Sequence, residues 1–251
     1  MEFRIIGHGM VDSTSERAFA ALAEGSARHG DVHVARGQTA GRGRRGARWE
    51  SPVDQGLYAS VVLKPGKPWE PAAVTMGAGL AVLAALVDLG LAGARLKWPN
   101  DLLVGRSKLC GILAEARGLD PAAPECVLGI GVDVAQREFP PELIAERPVT
   151  SLALSGVETS PERVLAALLP RLGAELDRVL EAPEDVAARY FAALGVVGRR
   201  VRVETGGETL VGLLRGANLA RGLEIEREVG PPRRVRLEHV RALTLAEDGP
   251  A

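Results

Sequence analysis

The longest apolar stretch of the chain covers residues 72–87 and ends at Asp88. It is interrupted by Thr75, Gly77 and Gly79, and it is shorter than the roughly 20 residues that cross a bilayer. The stretch therefore predicts a helix buried inside a protein. Hydrophobic residues make up 46% of the chain and charged residues 25%, which is typical of a globular protein and excludes a disordered or fibrous one.

Shorter runs on both sides of this helix predict a mixed sheet with packed helices. Predicted strands cover residues 31–35, 57–63, 94–98, 102–104, 108–115 and 126–134. Predicted helices cover residues 15–29, 72–89, 161–180 and 185–194. The strands are bounded by turn residues, and the last two helices repeat their apolar residues every three or four positions. Residues 1–195 are therefore predicted to form an α+β domain.

The pattern changes after Gly195. Short apolar runs of strand length are now separated by glycine and proline, including Gly206, Gly222 and Gly230. This spacing predicts a small all-β module over residues 196–251, most simply an SH3-like β-barrel.

Charge and cysteine content exclude several functional classes. The formal net charge is -1, so the chain is not one that mainly coats nucleic acid or an anionic membrane, and any anion site must be local. Cys110 and Cys126 are too few for a disulfide framework and are not spaced like zinc ligands. The four histidines show no metal-ligand spacing either. The N-terminus has no signal-peptide pattern, so we expect a cytoplasmic protein.

A loop between residues 37 and 49 carries the densest positive charge. Its glycines, Gly41, Gly43 and Gly46, alternate with arginines, and Trp49 follows. The arginines of this loop are Arg42, Arg44, Arg45 and Arg48. The pattern is that of a phosphate clamp whose tryptophan covers an aromatic base, and we expect the loop to stay mobile until an anion binds. A solvated basic loop or a nonspecific RNA contact is the alternative.

A second polar group lies in the predicted hairpin. Asn100 and Asp101 occupy its bend, and Lys108 begins its last strand on a face predicted to include Cys110 and Ile112. There an ammonium group can neutralise a carboxylate or a developing oxyanion. The alternatives are an ordinary exposed lysine and a simple turn.

Two weaker signals come from Ser13 and Thr14, which could bind a neutral ligand or cap a helix, and from the strand that runs from Gly129 to Asp133. The glycines of this strand could admit a ligand close to the backbone. The carboxylate of Asp133 could bind a ribose hydroxyl or a metal, or face solvent.

Three motifs in register resemble the signature of biotin protein ligases. They are Gly-Arg-Gly-Arg-Arg-Gly with Trp49 behind it, Lys-Trp-Pro-Asn-Asp over residues 97–101, and Lys-Leu-Cys-Gly-Ile-Leu over residues 108–113. The resemblance implies the class II synthetase-like catalytic fold with a C-terminal barrel. Because the matching region begins close to Met1, it also implies a monofunctional ligase without the helix-turn-helix domain, and hence no DNA binding.

The same resemblance implies a two-step reaction. Biotin and ATP, with Mg²⁺, give biotinyl-5'-AMP, and the biotinyl group then passes to a lysine of a biotin carboxyl carrier protein, an acetyl-CoA carboxylase subunit. No membrane partner is implied, and homodimer formation stays open.

The resemblance also implies site residues. The catalytic residues it implies are Lys108, Arg42 and Asp101. The biotin-binding residues are Ser13, Thr14, Ser15, Gln38, Arg42, Gly43, Arg44, Lys108 and Gly111. The ATP-binding residues are Arg44, Arg45, Trp49, Asn100, Asp101, Lys108 and Asp133. Asp101 is also the residue implied to hold Mg²⁺ through the phosphates.

This chain departs from the family pattern at Ser15, Ala47, Cys110 and Asp133, where the family commonly has Asn, Arg, Ala and Asn. A lipoate or octanoate ligase or transferase of the same fold is the nearest alternative. A non-catalytic ligand-sensing or RNA-binding module that uses the arginine loop is the alternative from another class.

Overall fold

The computed structural model describes residues 1–117 and 125–246. Its first sheet contains the strands β1 (Arg4–Val11), β2 (Asp31–Gln38), β3 (Gly56–Leu63), β4 (Ala94–Lys97), β5 (Asp101–Val104), β6 (Ser107–Glu115) and β7 (Cys126–Asp133). The helices are α1 (Thr14–Ala23), α2 (Pro71–Asp88), α3 (Pro141–Glu146), α4 (Pro161–Glu181) and α5 (Pro183–Leu194). The strand order is β1-β2-β3-β7-β6-β5-β4, and only the β1–β2 pair is parallel.

The predicted α+β domain with a mixed sheet and packed helices is confirmed. Two elements were not predicted, the edge strand β1 and the short helix α3. Helix α1 ends at Ala23, well before the predicted end at residue 29. The chain turns there because Gly25 adopts a left-handed conformation with φ of 71°, which glycine reaches without steric cost.

Helix α2 packs against α4 and α5. A side chain at Gly77 would lie 3.1 Å from Val179 of α4, and one at Gly79 would lie 3.3 Å from Tyr190 of α5. The two glycines that interrupt the apolar stretch therefore let the three helices approach closely. By length and composition α2 could also cross a membrane, but 56% of it is buried inside the protein, as expected for a core helix.

The C-terminal strands form a second, separate sheet. They are β8 (Arg200–Glu204), β9 (Thr209–Asn218), β10 (Gly222–Glu226), β11 (Arg233–Val235) and β12 (Ala242–Leu245). All neighbours are antiparallel, in the order β11-β10-β9-β8-β12. Within residues 125–246 no pairing joins β11 to β12, so a separate antiparallel sheet is present, but its closure into an SH3-like barrel is not confirmed. Residues 247–251 of the predicted module lie outside the described residues.

The two sheets share one continuous hydrophobic core. Trp98 lies at the junction, where its indole Nε1 donates a hydrogen bond to the carbonyl of Val240 at 3.1 Å. Its ring also stacks on Phe191 of α5 with centroids 5.8 Å apart. A buried tryptophan thus ties the end of β4 to the C-terminal sheet.

Candidate functional site

A cavity of about 220 Å³ lies over the middle of the first sheet, between the start of α1 and the arginine loop. It collects nearly every residue that the sequence motifs single out. The predicted residues that line it are Ser13, Thr14, Ser15, Gln38, Arg42, Gly43, Arg44, Arg45, Trp49, Asn100, Asp101, Lys108 and Gly111. Residues far apart in the chain therefore meet in one place, as expected of a single site.

One end of the cavity is a neutral polar network. The hydroxyl of Thr14 lies 2.8 Å from that of Ser60, which lies 3.0 Å from that of Ser15. The Oε1 atom of Gln38 accepts a hydrogen bond from the Thr14 backbone N–H at 2.8 Å. The side chain of Ser13, the residue before the helix, makes no capping bond. The hydroxyl-bearing residues line the cavity, and the alternative that Ser13 and Thr14 merely cap the helix is not supported.

Ser60 is a site residue that the sequence analysis missed. It lies in the middle of β3, where all eight residues are buried, and a lone serine in a buried strand gives no sequence signal of its own. Its position opposite Thr14 and Ser15 follows only from the packing of α1 on the sheet.

The other end of the cavity is ionic. The ammonium of Lys108 lies 2.5 Å from Oδ1 of Asp101, and both side chains are largely buried. The ammonium of Lys97 lies 3.9 Å from the second oxygen of Asp101. The amide of Asn100 donates to the carbonyl of Ile112 at 2.7 Å, so its oxygen remains able to accept a hydrogen bond.

The predicted strand face of Lys108 is wrong. The register shifts between Leu102 and Leu103, which pair with Cys110 and Lys108, so Leu109 is an extra residue on β6. Such a bulge changes the face on which the following side chains lie. Cys110 is fully buried in the core, and burial raises the pKa of its thiol. The ammonium of Lys108 instead lies beside Gly111, 3.4 Å from the point where a side chain there would begin.

The indole of Trp49 lies on two facing glycines. Gly111 of β6 pairs with Gly131 of β7, and a side chain on either would lie 2.9 or 2.6 Å from the indole. The Lys108 ammonium lies 5.4 Å from the centre of the Trp49 ring, a cation–π distance. Gly111 and Gly131 thus make room for Trp49, which lines the cavity.

The arginine loop forms a small hairpin. Arg42 pairs with Arg48, and the N–H of Gly43 donates to the carbonyl of Ala47 at 2.7 Å. The guanidinium of Arg42 is bonded to two carboxylates outside the loop, those of Glu16 and Glu115. Acidic residues from other elements thus compensate part of the positive charge of the loop.

Two partly shielded cations remain in the cavity wall. Burial and the nearby charge of Arg45 lower the pKa of Arg44. Arg147, which directly follows α3, also lines the cavity. The sequence analysis missed Arg147 because it stands alone before a proline and belongs to no motif.

Asp133 does not line this cavity. It lies behind Lys108 and Trp49 in a small adjacent space that Arg147 also borders. Burial raises the pKa of its carboxyl group well above the usual range, and the charges of Lys108 and Arg147 only partly offset this effect. Of the alternatives for this residue, exposure to solvent is wrong, because its side chain is buried.

The donor set fits a metal that arrives with phosphate. No group of three acidic, histidine or cysteine side chains within residues 1–117 and 125–246 could hold a metal by itself. Asp101 and the free oxygen of Asn100 are hard oxygen ligands, and one or two such ligands with substrate phosphates are typical for Mg²⁺.

A sequence model described as the biotin/lipoate A/B protein ligase family matches residues 8–133. The match contains the arginine loop, the hairpin and the Gly-Ile-Gly strand that surround the cavity. This chain belongs to that family.

Individual relatives agree with the family assignment. The chain is 36% identical over 211 residues to the biotin--[acetyl-CoA-carboxylase] ligase of Mycobacterium tuberculosis, which covers 81% of this chain and 76% of that relative. It is 30% identical to the bifunctional ligase/repressor BirA of Escherichia coli, over 87% of this chain and 68% of the relative. The biotin protein ligase of Aquifex aeolicus, solved in complex with biotin and ATP, superposes with a TM-score of 0.79 at 28% identity and covers 97% of this chain and 99% of its own.

Proposed function

We propose that this chain is a biotin protein ligase, which activates biotin with ATP and transfers it to a lysine of a biotin carboxyl carrier protein. The observation that carries the proposal is the two-ended cavity, with neutral hydroxyl and amide groups at one end and cations at the other. The ureido ring of biotin is neutral and offers both donors and an acceptor, and the opposite end of the molecule is a carboxylate. The relatives named above support the same assignment.

In this proposal the neutral end binds the ureido ring. Ser13, Thr14, Ser15 and Gln38 offer hydroxyl and amide groups that can donate and accept. Because Gln38 is already fixed by bonds to Thr14 and to Ser51, its orientation is set before biotin binds. Gly43 and Gly111 complete the biotin-binding wall.

The first step joins two anions. A carboxylate oxygen of biotin attacks the α-phosphorus of ATP, the bond to the β-phosphate oxygen breaks, and pyrophosphate leaves with the electron pair. Lys108, Arg42 and Arg44 offset the repulsion and stabilise the charge that develops on the phosphorus oxygens. Trp49 covers the adenine, while Arg45 and Asn100 bind the phosphates. Asp133 does not line the cavity, so in this proposal its charge influences ATP binding only through the neighbouring Lys108.

A Mg²⁺ ion bound with ATP would supply neutralisation of the phosphate charge. Asp101 would hold it through the phosphates. In the second step the neutral amine of the carrier lysine attacks the acyl carbon, the bond to AMP breaks, and AMP leaves. Asp101 orients the incoming amine, and the proton that the amine loses passes to solvent water.

We further propose a division into a catalytic domain over residues 1–195 and a C-terminal domain over residues 196–251. The left-handed Gly195 that ends α5 supports this boundary. Both cysteines are free, which suits the proposed cytoplasmic location. The absence of DNA binding stays a prediction, which a gel shift would test. Homodimer formation stays open, and light scattering would decide it.

The test is pyrophosphate release from ATP by the purified protein with biotin, lipoate or octanoate, followed by addition of a carrier domain. We expect pyrophosphate release with biotin but not with lipoate or octanoate, and then a mass increase on the carrier lysine. Release with lipoate or octanoate instead would assign the chain to the other branch of the family. No release with any acid would favour a ligand-sensing role, and RNA binding that ignores biotin would favour the nucleic-acid alternative.

A further inference from the structure

Two glutamates outside all three sequence motifs hold the side chain of Arg42. Glu16 lies in the first turn of α1, and Glu115 is the last residue of β6. One terminal nitrogen of the Arg42 guanidinium bonds to Glu16 and the other to Glu115. All three side chains are about 30% exposed or less, so these contacts are partly shielded from water and salt.

The three residues belong to three elements that border the cavity, although Glu16 and Glu115 do not themselves line it. Helix α1 begins with the hydroxyl network, β6 carries Lys108 and Gly111, and Arg42 begins the hairpin of the arginine loop. Holding Arg42 at both terminal nitrogens therefore ties the loop to α1 and to β6. Charged partners on both terminal nitrogens also set the orientation of the planar guanidinium.

The charges in this cluster balance. Arg117 bonds to both oxygens of Glu16, at 2.5 and 2.9 Å, so two arginines face two glutamates. A guanidinium has five N–H groups, and the two glutamate contacts leave three of them free. Arg42 can therefore be held in place and still donate to an anion in the cavity.

We propose that Glu16 and Glu115 are positioning residues that hold Arg42 and keep the arginine loop closed over the reactive adenylate. The inference rests on the proposed function, because it assigns these glutamates a role in retaining biotinyl-5'-AMP. Loss of their charges frees Arg42 and lets the loop open, which exposes the mixed anhydride to water.

The experiment compares the parent protein with the single variants Glu16→Gln and Glu115→Gln and with the double variant. Release of biotinyl-5'-AMP is measured in a single turnover, and the kcat and KM for biotin are measured by pyrophosphate release. In the double variant we expect release about tenfold faster and a KM for biotin raised by a similar factor, with kcat lowered less than about threefold. Glu24→Gln, at the exposed end of the same helix, is the matched control and is expected to behave as the parent.

Limited digestion with trypsin reports on the loop without any activity, because the loop offers cleavage sites at Arg42, Arg44, Arg45 and Arg48. We expect cleavage there to be about tenfold faster in the double variant than in the parent or in Glu24→Gln. Release and cleavage rates within twofold of the parent would overturn the inference. A parent protein without biotin-dependent pyrophosphate release would instead overturn the proposed function, and the digestion would still decide whether the glutamates hold the loop.

Discussion

Removal of the Lys108 ammonium is the sharpest perturbation of the proposed chemistry. The side chains of Lys108 and Asp101 are 13% and 14% exposed, so the site is partly shielded from water. A unit charge acts on another about 4 Å away with about 4 kcal/mol at an effective dielectric constant of 20. Asp101 offsets part of this interaction, and we take about two thirds of it to remain. Lys108→Ala then loses about 2.7 kcal/mol of transition-state stabilisation, which lowers the rate of adenylate formation about 100-fold.

The assay is biotin-dependent pyrophosphate release, measured for Lys108→Ala and for Lys97→Ala as the matched control. Lys97 lies 3.9 Å from the same carboxylate but is 46% exposed, so its removal is expected to change the rate less than about twofold. The free energy of unfolding of both variants is measured in urea to confirm that they fold. A folded Lys108→Ala protein with pyrophosphate release within tenfold of the parent would refute the role given to this ammonium.

Three further outcomes are expected. Arg42→Ala should release free biotinyl-5'-AMP into solution, which chromatography of the reaction mixture would detect, and retention equal to the parent would show that the loop is not the lid. Burial raises the pKa of Asp133 in the folded protein, whereas in the unfolded chain this carboxyl group ionises at about pH 4. The folded state is therefore destabilised progressively as the pH rises from about 4 to the raised pKa. Asp133→Asn should therefore raise the free energy of unfolding at pH 8 by at least about 1 kcal/mol and not at pH 4, and equal gains at both would contradict this sign. Gly131→Ala should lower the free energy of unfolding by about 1–3 kcal/mol, because the added methyl group overlaps Trp49. This loss should be smaller when Trp49→Ala is also present. Equal losses with and without Trp49, measured by denaturation, would rule out that contact.

Local patterns predicted most of the regular structure. The hairpin of β5 and β6 and the helix α2 were found within a few residues because each has a strong periodicity and clear turn residues. Strand β1 was missed because Gly7 and Gly9 interrupt its apolar pattern. It is an edge strand with largely exposed residues, so burial imposes little alternation on it.

The sequence predicted most of the residues that line the cavity but not how they are arranged. Three motifs named most of its residues, whereas Ser60 and Arg147 enter it only through the packing of distant elements. The prediction of the strand face on which Lys108 lies was wrong because one extra residue in β6 shifts the register. A bulge of this kind gives no signal in a run of apolar residues. The glutamates that hold Arg42 were also invisible, since surface glutamates are common and their partner lies far away in sequence.

The indole of Trp98 links two parts of the molecule mechanically. It is hydrogen-bonded to Val240, just before β12, and the chain runs from it through Pro99 and Asn100 directly to Asp101. Two residues therefore separate the Trp98 contact from the ion pair of Asp101 and Lys108. A displacement of the segment that carries Val240 would therefore shift the backbone that carries Asp101, although Val240 does not line the cavity.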